Sequence, residues 1–207
     1  VNTFKKKIMK KTNLKLAFII SIIIGSTFSS NAQVVTEGSK QIYLGLGWPN
    51  IPGLVYTTLG SGGGSSFGPI CASFQYGIKD KITVGGTLNY SSANSPSFSG
   101  EDINGNTTSY SLKLSLITIM ATGTYHYSNS DKADFYSGIS LGYGIASAGI
   151  DGNKGVGTTI TVAEVGGAAY HITPIGFRYM FSDNIGAYTE LGYGWNGLAQ
   201  IGLSAKF

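Results

Sequence analysis

Few residues in this chain carry the chemistry for a site. Arg178 and Glu190 are the best polar pair, placed on the small and polar faces of two neighbouring alternating runs, residues 175–181 and 185–193. One permitted register sets them directly opposite, with Tyr188, Gln200 and Lys206 around them. Burying two charges costs much of what their attraction returns, so such a pair specifies register more than it adds stability. In a narrow enclosure the pair is expected to act as a structural plug. The functional alternative is a gate that opens when the pair breaks.

Nothing else in the sequence assembles a reactive centre. By strand rise and tilt, His126 and His171 fall about 20 Å apart along the barrel axis. No Cys or carboxylate spacing completes a metal site around either. Asp151 and Glu164, with His171 below, are a weak lead for hydrolysis, where geometry must come before identity. Cys71 is the single cysteine and reads as a small strand residue. The run Gly60-Ser61-Gly62-Gly63-Gly64 lacks the Lys-Ser/Thr ending and following helix of a phosphate-binding loop, and reads as a flexible connection. No catalytic residue, metal or cofactor is expected.

The elements that carry these residues are strands. Ile175, Phe177, Tyr179 and Phe181 share one face, opposite Gly176, Arg178 and Met180. Ile185, Ala187, Thr189, Leu191 and Tyr193 repeat the pattern, as do Ala199, Ile201, Leu203, Ala205 and Phe207. Period-two alternation of this kind means strands with one apolar face. Eight are placed, over residues 41–48, 69–79, 82–91, 109–127, 134–146, 162–181, 185–193 and 198–207. A ten-strand version would add residues 54–59 or 158–165.

Long connections (49–68, 92–108 and 147–158) alternate with short turns, as in outer-membrane barrels with long external loops. The apolar pattern changes face between Leu116 and Ile117, and again across Pro174. A β-bulge would explain each change. For the last hairpin, a three-residue loop with Gly197 left-handed would pair Leu191 with Ile201, apolar with apolar. Aromatics sort to two heights, with Tyr76, Tyr125, Tyr127, Phe135, Tyr179, Phe181 and Phe207 at one and Trp48, Tyr90, Tyr143, Tyr193 and Trp195 at the other. Two such girdles suit a bilayer.

Residues 1–32 are expected to be a cleaved signal peptide: six lysines, a short apolar run, then Ser30-Asn31-Ala32. The apolar run is shorter than the roughly 20 residues a membrane helix needs. The leader holds 6 of the 14 basic residues and none of the 10 acidic ones, so residues 33–207 keep 8 against 10, a net −2. No basic patch remains to argue for nucleic acid. Thirty-one glycines and 12% aromatics in a weakly charged chain suit one close-packed β-barrel domain over 33–207.

Tyr125-His126-Tyr127, Gly176-Phe177-Arg178-Tyr179, Ser182-Asp183-Asn184-Ile185-Gly186, Glu190-Leu191-Gly192-Tyr193-Gly194 and the ending Gly202-Leu203-Ser204-Ala205-Lys206-Phe207 resemble the porin-like outer membrane β-barrel family common in Bacteroidetes. More loosely, the chain resembles OmpA- and OmpX-type barrels. The resemblance implies an all-β, eight-stranded up-and-down transmembrane barrel in the cell outer membrane, with no enzymatic activity. Its implied partners are outer membrane lipids and the outer-membrane assembly machinery. Phe207, terminal on an alternating strand, is similar to the signal that machinery reads. The expected role is structural or surface interaction through external loops, with no partner named. The alternatives are a small-solute channel and a soluble periplasmic lipid-binding barrel.

Overall fold

The computed structural model describes residues 34–58, 64–101, 107–152 and 159–207. The expected leader and residues 60–63 of the glycine run lie outside these. The alternating segments form β1 (Lys40–Trp48), β2 (Ser65–Lys79), β3 (Ile82–Asn94), β4 (Phe98–Glu101), β5 (Thr107–Asn129), β6 (Ala133–Gly152), β7 (Thr159–Met180), β8 (Ile185–Gly194) and β9 (Ala199–Lys206). One helix, α1 (Ile51–Thr58), stands between β1 and β2.

Every pairing is antiparallel. The order β1-β2-β3-β5-β6-β7-β8-β9 returns to β1 along a seam from Gln41↔Lys206 to Trp48↔Ala199, so eight strands close into a ring. The ninth strand, β4, pairs only with β5, from Phe98↔Tyr110 to Glu101↔Thr107, and prolongs the line of β3 beyond Asn94↔Lys113. The expected eight-stranded barrel is the observed one. Residues 54–58 are helical and residues 159–165 belong to β7, so neither supplies an extra strand.

The barrel is inverted relative to a water-soluble core. Leu44, Leu46, Leu88, Ile119, Leu141, Leu191, Ile201 and Leu203 are all more than half exposed on its outer face. Gln41, Gln75, Thr83, Thr118, His126, Asp134 and Arg178 are buried inside. Alternation alone produces this sorting, because successive side chains point to opposite faces.

Strand lengths are unequal. β5, β6 and β7 hold 23, 20 and 22 residues, against 9, 10 and 8 in β1, β8 and β9. The surplus rises as a sheet at the far end of the barrel, the end away from Lys40 and Lys206. The expected loops are therefore much shorter than the sequence suggested. Pro52 and Gly53 hid α1 in the first, residues 92–94, 98–101 and 107–108 of the second are strand, and so are residues 147–152 of the third.

The change of face at Leu116 is not a bulge. β5 pairs without interruption with β3 from Tyr125 to Lys113 and with β6 from His126 to Tyr110. Leu112, Leu114 and Leu116 point inward on a regular strand, while Ile117 and Ile119 point outward. What changes is the surroundings: in the rising sheet the inner face is the apolar one, and Lys113 and Ser115 face out. Across Pro174 the bulge does occur, as a register shift between Ile172↔Tyr193 and Ile175↔Leu191. In the last hairpin Gly197 has a positive φ of 92°, as expected, but Leu191 pairs with Ala199 and Thr189 with Ile201. The connection is longer than three residues, because Gly192 N–H already donates to the Leu198 carbonyl at 2.8 Å. Pairing by even offsets still keeps apolar side chains on one face.

Candidate functional site in the barrel interior

The alternation of β1 to β9 delivers polar side chains into a space too narrow for water to pair with them, so they pair with one another. Near the end where β1 starts, they form a chain of hydrogen bonds across the lumen. Thr83 Oγ1 donates to Gln75 Oε1 at 2.7 Å and lies 3.3 Å from His126 Nε2. His126 Nδ1 donates to Asp134 Oδ2 at 2.9 Å. Arg178 Nη2 donates to the same oxygen at 2.7 Å, and Arg178 Nη1 donates to Gln41 Oε1 and to the Tyr43 hydroxyl, both at 2.6 Å. The guanidinium also lies 5.3 Å from the Tyr43 ring centroid, within cation–π range. Arg178, Asp134 and His126 are all fully buried.

A second tier sits above the first. Tyr136 OH donates to Glu190 Oε1 at 2.7 Å, and Gln200 Nε2 donates to Glu190 Oε2 at 3.1 Å. Gln200 Nε2 also approaches His171 Nε2 at 3.4 Å. Tyr188 meets Tyr43 edge to face, with centroids 5.2 Å apart. A third tier is a run of hydroxyls: Ser73 to Thr87 at 2.7 Å, Thr87 to Thr122 at 2.9 Å and Thr122 to Ser140 at 2.8 Å. Between the tiers remains a cavity of ≈ 20 Å³, lined among others by Tyr43, Tyr136, His171, Tyr188, Glu190 and Gln200. That is space for about one water molecule, not a conduit.

Both mouths are also covered. At the near end Val34, Val35 and Met180 form a small buried apolar cluster, and Val34 N–H donates to the Ser130 carbonyl at 3.1 Å. At the far end Asn50 caps α1, its Oδ1 accepting from Gly53 N–H at 2.9 Å while its Nδ2 donates to the Ser92 carbonyl at 3.0 Å. Tyr56 OH donates to the Leu112 carbonyl at 2.8 Å. Ala93 and Leu116 are buried in this same region. Between α1 and the ends of β2 and β3 lies a cavity of ≈ 270 Å³, bordered by Trp48, Leu54, Tyr56 and Ala93.

Of the five residues expected in the lumen cluster, Arg178, Tyr188, Glu190 and Gln200 are inside and Lys206 stands at the near end opposite Gln41, but the partners differ from the expected ones. Arg178 stands opposite Tyr188 on β8, while Glu190 stands opposite Gly176. The cation pairs instead with Asp134, directly opposite on β6. Asp134 was legible only as the first residue of a strand, where a carboxylate usually meets water. Thr83, His126 and Asp134 follow the hydroxyl–imidazole–carboxylate order of a nucleophilic triad. Thr83 is fully buried and its proton is committed to Gln75, so no substrate meets it. The other lead dissolves: Glu164 is exposed on β7 while His171 is buried in the lumen, and the Asp151 side chain lies outside the described residues. Cys71 is buried and free. Among the described residues, no group of His, Cys, Asp and Glu could hold a metal.

No protein-family model and no curated protein sequence matches the chain. Among solved structures it is similar to the N-terminal β-barrel domain of Pseudomonas aeruginosa OprF, at 15% identity and a TM-score of 0.41, covering 83% of this chain and 98% of that one. It is also similar to Ail, the attachment invasion locus protein of Yersinia pestis, at 11% identity and a TM-score of 0.47, covering 83% of this chain and 100% of that one. A second Ail structure, in complex with the heparin analogue sucrose octasulfate, matches at 13% identity and a TM-score of 0.44, with coverage of 83% and 100%.

Proposed function

We propose that this chain is an integral outer-membrane β-barrel without catalytic activity, closed to solutes, which acts through the structure rising from its far end. The observation that carries this reading is the inversion of faces: apolar side chains outside, a hydrogen-bonded polar interior, and a reversal above Leu116. An apolar belt is stable in lipid and costly in water. The reversal is then the upper boundary of the bilayer, with Trp48, Tyr90, Tyr143, Tyr170 and Tyr193 as the aromatic girdle beneath it. The termini lie on the periplasmic side, and α1, β4 and the ends of β5, β6 and β7 lie outside the cell. Lipids of the outer membrane surround the belt. Phe207, directly after β9, is the signal offered to the assembly machinery.

Three tiers of side chains and two covered mouths argue against a small-solute channel. A lumen of hydroxyls, amides and charges argues against a soluble carrier of lipids, which needs the opposite lining. The test is to refold residues 33–207 into planar bilayers beside Arg178→Ala. Both proteins are expected to insert and to show no steady conductance. Steady wild-type conductance would make the barrel a porin, and a protein that stays in buffer without detergent would overturn the membrane assignment.

A further inference from the structure

α1 is tied to the barrel at two points. At its start, Asn50 Nδ2 donates to the Phe67 and Ser92 carbonyls, and a Cβ on Gly53 would stand 3.0 Å from Ser66 Cβ. Further along, Tyr56 OH donates to the Leu112 carbonyl of β5. β1 parts from β2 below this height: their last pair is Leu46↔Ile70, while β2 and β3 continue to Ser65↔Asn94. The helix bridges a gap that it does not fill, and the cavity of ≈ 270 Å³ beside it is what remains.

The walls of this cavity say what would occupy it. Trp48, Pro49, Leu54, Tyr56 and Ala93 give it apolar surface, and no residue that lines it is charged. Most of its polar groups are committed within the protein. Tyr56 OH and Asn50 Nδ2 donate to carbonyls, Asn50 Oδ1 accepts from Gly53 N–H, and Thr57 Oγ1 donates to the Leu54 carbonyl at 2.9 Å. One atom is left over: Asn94 Oδ1 is buried and accepts no hydrogen bond. A buried acceptor without a donor is unfavourable, so an occupant that brings a donor gains by it. Water offers a donor, but apolar walls hold water loosely, and displacing loosely held water favours an apolar occupant. Trp48 is 71% exposed and Leu54 44%, so two of the walls reach the surface.

We infer that the cavity between α1 and the ends of β2 and β3 is a binding site for a small neutral molecule, an apolar body with one hydroxyl or ring N–H that donates to Asn94 Oδ1. An apolar cavity of about 150 Å³ holds benzene, so the larger volume here suits a body of about two fused rings. Few convergent polar groups on an apolar wall are the usual make-up of such a site. Anionic ligands such as nucleotides and acidic sugars are excluded, because no cation lines the cavity. A lipid chain fits less well, since its tail brings no donor for Asn94. The site goes beyond the closed-barrel reading and needs only the cover formed by α1, not the bilayer.

The test uses the barrel of residues 33–207 refolded in detergent micelles, with 2-naphthol as the probe and naphthalene as its counterpart without a donor. Amide chemical shifts report the site; conductance reports the closed barrel separately. 2-Naphthol is expected to shift Gly53, Ala93 and Asn94 saturably, and naphthalene to do so more weakly. Asn94→Leu keeps the side-chain size and removes the acceptor. It is expected to weaken 2-naphthol about fivefold and to leave naphthalene no weaker. Ala93→Phe fills the cavity and is expected to abolish binding of both probes, with heat-modifiable migration showing a folded barrel. If that variant does not fold, Asn94→Leu decides alone. Absence of saturable shifts at the three amides in a folded barrel would overturn the inference. So would equal weakening of both probes by Asn94→Leu, or unchanged affinity for 2-naphthol. Shifts that grow linearly, at Leu44 and Ile201 of the outer face as much as at Ala93, would mean partition into the micelle and overturn it too.

Discussion

Asp134 and Arg178 stand directly opposite each other on β6 and β7, and Arg178 Nη2 donates to Asp134 Oδ2 at 2.7 Å with both side chains fully buried. The same carboxylate accepts from His126, so one acid anchors two donors from two other strands. Removing either partner leaves an uncompensated charge. Arg178→Ala and Asp134→Asn are each expected to cost about 3–5 kcal/mol, and far less than additively when combined. Glu190→Gln should cost clearly less, since its partners are the neutral Tyr136 and Gln200. Urea unfolding of the refolded wild type, the three single variants and the Arg178/Asp134 and Arg178/Glu190 double variants measures both couplings. Strong coupling between Arg178 and Glu190, with none between Arg178 and Asp134, would contradict the geometry.

The two faces of β9 make opposite demands. Ile201 is 68% exposed on the outer face, while Gln200 beside it is 5% exposed in the lumen. Ile201→Arg is expected to destabilise the barrel in lipid by about 2–4 kcal/mol near the bilayer midplane. Transfer to detergent should relieve much of that penalty. Equal penalties in the two media would argue that lipid does not cover this face.

Glycine size is tested at two positions of opposite character. A Cβ on Gly176 would run into the Tyr136 ring, whereas one on Gly123 meets nothing within 4 Å. Gly176→Ala should displace Tyr136, break its bond to Glu190 and cost about 1–3 kcal/mol. Gly123→Ala should be neutral or slightly stabilising. Comparing the two midpoints of chemical unfolding decides the matter.

Asn50 holds α1 at both ends of its side-chain amide. Asn50→Ala is expected to cost about 1–2 kcal/mol locally. The readout is faster hydrogen exchange at Leu54, whose amide bonds the Asn50 carbonyl at 3.0 Å, with the tiers below unaffected. If exchange at His126 or Arg178 rose equally, the helix would belong to the global fold rather than to a separable cover.

The strands were legible because each side chain in an alternating run reports its own surroundings. Ile201 against Gln200, or Phe177 against Arg178, needs no knowledge of neighbouring strands. Partners were not legible in the same way. Arg178 has a strand on each side, and the sequence does not say which one offers the carboxylate at the right height, so Glu190 was as reasonable as Asp134. The inward leucines of β5 look like a bulge in sequence because alternation was read against one solvent throughout. Asn50 and Tyr56 gave no usable signal, since α1 is a single short helix with Pro52 and Gly53 in its first turn.

The closing seam has a consequence for how the chain comes into being. Gln41 meets Lys206, so the first strand and the last are each other's neighbours. The ring cannot close until β9 has been synthesised and delivered. Every earlier intermediate is an open sheet with two raw borders and an apolar outer face. Contacts of such long sequence separation form slowly, and open sheets aggregate while they wait. Closure is therefore a late event by the topology itself, before any particular side chain is considered.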